Sequence, residues 1–216
     1  MKLLCVLVLF TMATRTNAQK FAVKAGLNLS NMLMKDDDGT YSDNLKMHAG
    51  FHIGATAEFP INDMFSFEPG LLLSTKGVNY EESGSGYDYK SKLNLFYFEV
   101  PLNAKATFDV GGAKIYGTFG PYLGLGLSGK SKDEYNEDGD SGTDTYTVKW
   151  GSDSENDDYK RFDLGLNFGA GVEIKSLLIG LNYGLGLANI SSYTDYGTKI
   201  SNRVLAISFG YKLGGK

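Results

Sequence analysis

The sequence predicts an all-β fold: an eight-stranded antiparallel up-and-down β-barrel that spans a membrane. Three observations predict it. Apolar and polar residues alternate along most of the chain, the alternating segments are unusually long, and long and short connections alternate between them. The chain has 216 residues with 28 glycines, 13% aromatic residues and only four prolines. The aromatic content argues against disorder, and glycine without a triplet period excludes collagen.

Residues 1–18 have the pattern of a secretory signal peptide, and residues 19–216 are expected to form one barrel domain. An apolar run over residues 3–12 follows a positive residue, and small residues up to Ala18 precede the expected cleavage. The apolar run is too short to cross a bilayer as a helix. The sequence contains a single cysteine, Cys5, and one cysteine excludes a disulfide framework and a cysteine-based zinc site. Cleavage would remove it.

Eight segments alternate with a period of two residues and are predicted to be strands. They are residues 20–33, 47–59, 65–80, 92–108, 114–129, 160–174, 177–190 and 201–213. All exceed the ~9–11 residues that a tilted strand needs to cross a bilayer. The long polar connections are predicted at 34–46, 81–91, 130–159 and 191–200. An even-stranded barrel with this order places the short turns and both termini at one end and the long loops at the other.

Alternation alone leaves open which face of the barrel is outside. A secreted ligand-binding barrel turns its apolar face inward, whereas an outer-membrane barrel turns it to lipid. We favour the membrane barrel because the polar face combines many glycines with nearly balanced charges, which suits pairing inside a narrow lumen. The charged residues of this face are Lys24, Glu58, Glu68, Lys76, Glu99, Lys105, Lys114, Asp163 and Glu173. We expect them to form a salt-bridge network and not an acid–base pair.

Aromatic residues of the apolar face lie where the two membrane interfaces would fall. They are Phe59, Phe65 and Phe108 beside short turns and Tyr80, Tyr159 and Tyr193 beside long loops. Two such girdles are typical of barrels in a bilayer. The sequence therefore predicts a cell outer-membrane protein with periplasmic termini and extracellular long loops.

Four stretches of the chain carry glycine and aromatic signatures. They are Phe21-Ala-Val-Lys-Ala-Gly-Leu-Asn-Leu-Ser-Asn31, Phe67-Glu-Pro-Gly-Leu-Leu-Leu-Ser-Thr-Lys-Gly77, Tyr97-Phe-Glu-Val-Pro-Leu102 and Gly120-Pro-Tyr-Leu-Gly124. In these stretches the chain resembles the PorT-like outer-membrane β-barrel family of Bacteroidota. The resemblance covers nearly all of the chain after residue 18. It implies location and fold more than chemistry, because these are strand signatures and not catalytic motifs.

The sequence predicts no catalytic residue, cofactor, metal site or nucleic-acid partner. Its only histidines, His48 and His52, are expected to face the lumen from the second strand. A lipid A-modifying enzyme needs an imidazole within reach of a serine hydroxyl, and no hydroxyl has a distinctive spacing from either histidine. Four residues apart on a strand, the two imidazoles are about 13 Å apart, too far to share a metal. A net charge of −4 gives no electrostatic reason to expect nucleic acid.

The predicted loop 130–159 is strongly acidic. Its acids are Asp133, Glu134, Glu137, Asp138, Asp140, Asp144, Asp153, Glu155, Asp157 and Asp158. We expect a solvated loop. Weak binding of divalent cations through carboxylates and a specific protein partner, with Tyr146 and Trp150 as an adhesive patch, remain alternatives.

Together these patterns predict a non-enzymatic outer-membrane β-barrel protein with a structural or interaction role that presents polar loops at the cell surface. Two alternatives stay open, a lipid A-modifying barrel enzyme and a narrow, porin-like channel. The lumen of an eight-stranded barrel is just filled by side chains, which argues against a wide pore. The expected partners are outer-membrane lipid and, during biogenesis, the outer-membrane assembly machinery.

Overall fold

The computed structural model describes residues 19–42, 45–137 and 140–213 and contains one antiparallel sheet of ten strands. The strands are β1 (Lys20–Lys35), β2 (Leu45–Lys46), β3 (His48–Pro60), β4 (Phe65–Gly84), β5 (Tyr87–Asp109), β6 (Lys114–Glu137), β7 (Asp140–Thr147), β8 (Phe162–Ile174), β9 (Leu177–Gly186) and β10 (Lys199–Leu213). The predicted signal peptide, residues 1–18, lies outside the described residues. Within the described ranges, no helix has the length and apolar character needed to cross a membrane.

Eight of these strands close into a ring, which confirms the predicted eight-stranded up-and-down barrel. Closure comes from β1 and β10, whose register runs from Phe21 opposite Leu213 to Lys35 opposite Lys199. The remaining two strands are additions to this ring: β2 pairs with β4, and β7 pairs with β6. Closing the ring satisfies the backbone groups that an open sheet edge would expose, as a lipid environment requires.

The two ends of the barrel differ in their connections. The end that we call the turn end carries the start of β1, the end of β10 and the three short connections at 61–64, 110–113 and 175–176. Gly111 and Gly112 have φ of 79° and 86°, which permits the tight turn between β5 and β6. The opposite end, the loop end, carries the four other connections.

Two connections predicted to be long loops are instead largely strand. β4 continues to Gly84 and β5 starts at Tyr87, so a tight hairpin replaces the predicted loop 81–91. β6 continues to Glu137 and pairs with β7, so the first half of the predicted loop 130–159 is a second hairpin. The prediction was wrong because both faces of these segments are polar. That removes the hydrophobic alternation but leaves the tyrosines and threonines that favour strands.

The apolar face of the spanning strands points outward. Leu181 is 53% exposed and Phe119 is 50% exposed, whereas the inward-facing Tyr122 is 1% exposed. On β5 the outward apolar residues run from Phe108 near the turn end to Phe96. At ~3.3 Å per residue and a ~45° tilt, this band is about 28 Å tall. That height is close to the ~25 Å apolar band of membrane-spanning barrels.

Candidate functional site

The half of the lumen nearer the turn end is filled by a chain of ion pairs. Its members are Lys24, Lys105, Lys212, Glu58, Glu68 and Glu173. The Lys105 ammonium is at the centre, 2.8 Å from Glu58 and 3.2 Å from Glu68. Three lysines balance three glutamates, so the predicted pairing of lumen charges is present here. Lys212 was not among the predicted lumen charges. The two-residue alternation of β10 nevertheless places it on the same inward face as Gly210.

Nearer the loop end, Lys76 lies between two carboxylates. Its ammonium is 2.8 Å from Glu99 and 3.0 Å from Asp163, and it lies 4.2 Å from the centre of the Tyr122 ring. The Tyr122 hydroxyl also donates to Asp163 at 3.2 Å. Of the predicted lumen charges, Lys114 forms no ion pair with any residue that the structure describes.

His52 takes part in a directional hydrogen-bond relay that the sequence did not predict. The Asn28 amide nitrogen donates to two backbone carbonyls, those of Phe51 and Thr75, so its oxygen is left to accept. That oxygen lies 2.8 Å from Nδ1 of His52, which must therefore carry the proton. Nε2 is then free to accept from the Ser208 hydroxyl at 2.9 Å. No local sequence pattern predicts the contact between His52 and Ser208, because Ser208 lies 156 residues further along the chain.

The relay has the order of a nucleophile, a base and an orienting group. It borders an internal cavity of about 80 Å³ that polar side chains line, among them Lys24, Asn103 and Asn167. This volume holds a few waters, whereas pockets for organic ligands usually measure ~300–1,000 Å³. His48 lies apart from the relay, with Nδ1 3.1 Å from the Asn79 side chain. The cavity is therefore too small for an organic substrate, although Asn103 Oδ1 on its wall and Nε2 of His48 find no hydrogen-bond partner among the described residues.

At the loop end an apolar cluster fills the lumen. Its buried members are Met32, Val78, Leu93, Leu95, Tyr97, Val148 and Ile190, and the residues packed against it are Met34, Leu45, Trp150, Tyr159 and Ile200. We call this cluster the plug. The lumen at this end is filled by apolar side chains from the barrel wall together with side chains from the connecting segments.

Residues 148–159, which we call the strap, supply the outer layer of the plug. The Trp150 ring packs edge-on against Tyr97, with centroids 5.6 Å apart. Backbone bonds fix the strap at its start, where Val148 N donates to Gly129 O at 2.9 Å. Burial, aided by the Asp158 carboxylate, raises the pKa of Tyr159 to about 12. The prediction of Tyr159 as a lipid-interface residue was therefore wrong. Trp150, one of the two residues of the alternative adhesive patch, is half-buried and packs against Tyr97.

Beyond the barrel, the β4–β5 and β6–β7 hairpins form a four-stranded extension, residues 79–92 and 130–147, which we call the projecting sheet. The cross-strand register places five tyrosines on the face that continues the lumen side. They are Tyr80, Tyr87, Tyr89, Tyr135 and Tyr146, so the prediction of Tyr80 as a lipid-interface residue was wrong. The same face carries the acids Glu82, Asp133, Glu137, Asp140 and Asp144 and, among its described residues, no lysine or arginine. We call it the tyrosine face.

The acids predicted to share one loop are thus divided among different surfaces. Four lie on the tyrosine face, Glu134 lies on the opposite face, four lie in the strap, and Asp138 is outside the described residues. In the part of the chain that the structure covers, no three metal-ligating side chains lie together in a way that would hold a metal ion. Weak divalent-cation binding by this segment stays a prediction.

Comparisons with solved structures find outer-membrane barrels at low identity. OprG from Pseudomonas aeruginosa is 15% identical, with a TM-score of 0.44 over 91% of this chain and 96% of that one. Neisserial surface protein A is 14% identical, with a TM-score of 0.39 over 89% and 97%. Ail of Yersinia pestis, solved in complex with the heparin analogue sucrose octasulfate, is 16% identical, with a TM-score of 0.36 over 90% and 99%.

A search of curated proteins found no match. A family model does match: the outer membrane protein beta-barrel domain aligns with residues 16–192, well over half of the chain. The match covers β1 to β9 and the strap. Together with the closed ring and its outward apolar band, it assigns the protein to the outer membrane. The chain belongs to the outer membrane protein beta-barrel domain family.

Proposed function

We propose that the protein is a non-enzymatic outer-membrane barrel that presents the projecting sheet outside the cell and binds a partner through its tyrosine face. The observation that carries this proposal is the segregation of five tyrosines and five acids onto one face. Tyrosine provides large contact area at low conformational-entropy cost. Carboxylates beside aromatic rings attract cations, through their charge and through the ring face. The proposed partner is a positively charged peptide or protein surface.

The proposed topology has periplasmic termini and an extracellular loop end. Two features support this topology. One is the predicted signal peptide, residues 1–18, and the other is that the short turns lie at the same end of the barrel as both ends of the strand order. We also propose placement in the PorT-like group of Bacteroidota, which rests on the strand signatures alone.

A lipid A-modifying enzyme is the second candidate, because the Ser208–His52–Asn28 relay has the order of a nucleophile and its base. The relay faces the lumen and all three side chains are buried, so lipid at the outer surface does not reach it. We expect Ser208→Ala to leave the lipid A of cells carrying the protein unchanged by mass spectrometry. Loss of a lipid A modification in this variant would support the enzyme.

The topology is tested with single cysteines, because the chain after residue 18 contains none. Thr143→Cys lies on the projecting sheet and Asp63→Cys lies in a turn at the other end. A membrane-impermeant maleimide should label Thr143→Cys on intact cells and Asp63→Cys only after permeabilisation. The reverse pattern would contradict the proposed orientation.

Partner binding is tested with an arginine-rich peptide as a cationic probe. Tyr89→Ser and Tyr135→Ser remove two directly opposed rings of the tyrosine face. We expect the double variant to bind the probe at least about tenfold more weakly, since aromatic anchors commonly contribute ~2 kcal/mol each. The matched control is Thr143→Ser with Thr145→Ser, on the opposite face of the same sheet. Equal binding by both variants would contradict the proposal.

A further inference from the structure

The face of the projecting sheet opposite the tyrosine face is rich in lysine. Two matching triplets, Lys90-Ser91-Lys92 on β5 and Lys130-Ser131-Lys132 on β6, place alternate lysines on it. Its charged residues, together with Lys46 on the adjoining β2, which pairs with Glu81, are Lys90, Lys92, Lys130, Lys132, Glu81, Asp88 and Glu134. Five lysines against three acids make this face basic, although the chain as a whole has a net charge of −4. We call it the lysine face.

The lysine face continues the lipid-facing side of the barrel wall. Along β5 the outward apolar residues end at Phe96 and are followed outward by Asn94 and Lys92. At ~3.3 Å per residue and a ~45° tilt, Lys92 lies about 9 Å beyond Phe96 along the membrane normal. A lysine stem reaches back several ångströms while its ammonium stays in a polar layer. Its charge therefore falls at the headgroup layer, which adds ~5–7 Å to each side of the hydrocarbon core.

The central lysines of this face lie close together and outnumber the acids beside them. Lys92 is directly opposite Lys132 in the register, and Lys130, opposite Asn94, is its diagonal neighbour. Lys132 pairs with Glu134 at 2.6 Å, whereas Lys92 and Lys130 form no ion pair with a described residue. Like charges directly opposite each other in a sheet are destabilising. A bound anion would remove this repulsion.

We propose that Lys92, Lys130 and Lys132 bind the phosphate groups of anionic lipid headgroups in the leaflet at the loop end of the barrel. Lysine binds phosphate as a compact point charge, and lysines near an anionic surface add up in their attraction to it. The inference goes beyond the proposed partner binding because it concerns the opposite face of the sheet. It holds whichever leaflet the loop end occupies, so its failure and that of the proposed function are distinguishable.

The first experiment is a lysine-acylation footprint of the purified protein in phosphatidylcholine vesicles. Adding bisphosphorylated lipid A to the membrane should lower the acylation rate of Lys92, Lys130 and Lys132 several-fold. Lys149 in the strap, which lies off the lysine face, should change little. Dephosphorylated lipid A, and inorganic phosphate at matched concentration, should give no protection. Equal protection by the dephosphorylated lipid, or by free phosphate, would overturn the assignment to lipid phosphate.

The second experiment measures transfer of the detergent-solubilised protein to lipid A-containing bicelles by fluorescence. The variant Lys92→Gln/Lys130→Gln/Lys132→Gln should bind them at least about tenfold more weakly, and the difference should shrink as salt rises. The matched control is Glu82→Gln/Asp133→Asn/Asp144→Asn, on the tyrosine face of the same projecting sheet. It should keep or gain affinity. Unchanged affinity in the lysine variant, with both variants folded by circular dichroism, would overturn the proposal.

Discussion

The two halves of the lumen are filled in opposite ways by the same face of the same strands. Toward the turn end, lysines and glutamates such as Lys105 and Glu58 pair across the barrel. Toward the loop end, apolar residues such as Leu95 meet the strap, whose Trp150 covers them. The charged half is completed by strand residues alone, whereas the apolar half needs a connecting segment to close it. A narrow lumen therefore accepts either solution, provided that each buried charge has a partner.

The largest effect is expected from breaking the charged half. Lys105→Ala leaves the buried carboxylates of Glu58 and Glu68 without their shared ammonium. We expect a loss of about 3–5 kcal/mol in the free energy of unfolding, because an uncompensated buried charge remains. Urea titration of the protein in lipid vesicles measures it. Lys114→Ala, on the same inward face without an ion pair among the described residues, should cost far less; equal losses would mean that the network adds nothing.

Both ways of filling the lumen require that the opposite, outward face of the strands meets lipid. A charge placed on the outward face tests this requirement. Leu181 is 53% exposed on the outer surface of β9, next to the inward Asn182. Leu181→Arg should lower the free energy of unfolding in bilayers by about 2–4 kcal/mol. The matched variant Asn182→Leu should cost less. If Leu181→Arg leaves the free energy of unfolding unchanged and Asn182→Leu lowers it strongly, the inward and outward faces are the reverse of those described.

Breaking the apolar half should have a smaller effect. Trp150→Ala removes a half-buried ring from the plug, and we expect a loss of about 2 kcal/mol, below the ~3–5 kcal/mol typical of fully buried aromatic rings. Tyr146→Ala is the control, since this nearby tyrosine is 56% exposed. The same urea titration compares them. A tryptophan variant as stable as the tyrosine variant would mean that the strap does not hold the plug.

The smallest effect is expected from shortening the projecting sheet. Replacing residues 133–144 by a two-residue turn joins Lys132 to its cross-strand partner Thr145 and leaves the strap intact. We expect a change within about 0.5 kcal/mol, as for surface changes away from the core. Replacing 149–158 by a flexible glycine–serine segment of equal length should instead loosen the plug and destabilise the barrel. The two variants are compared by the temperature at which heating abolishes the folded band on gels.

Sequence alone determined the barrel and its strand number, because the two-residue period of a strand is a local property. The face that meets lipid followed from the glycines and nearly balanced charges of the polar face, and not from the period. The same period correctly predicts that Lys105 and Glu58 lie in the lumen. It failed at 81–91 and 130–147, where both faces are polar and hydrophobic alternation gives no signal.

Only the tertiary structure decided which lumen residues touch. Ring closure brings Ser208 to His52 and Lys212 to Glu58, partners separated by most of the chain. It also decided that Trp150 and Tyr159 turn into the mouth instead of facing solvent or lipid. Composition identifies a segment as polar or aromatic. Where the side chains of that segment point depends on the space that other strands leave unfilled. That space exists only once the barrel has closed.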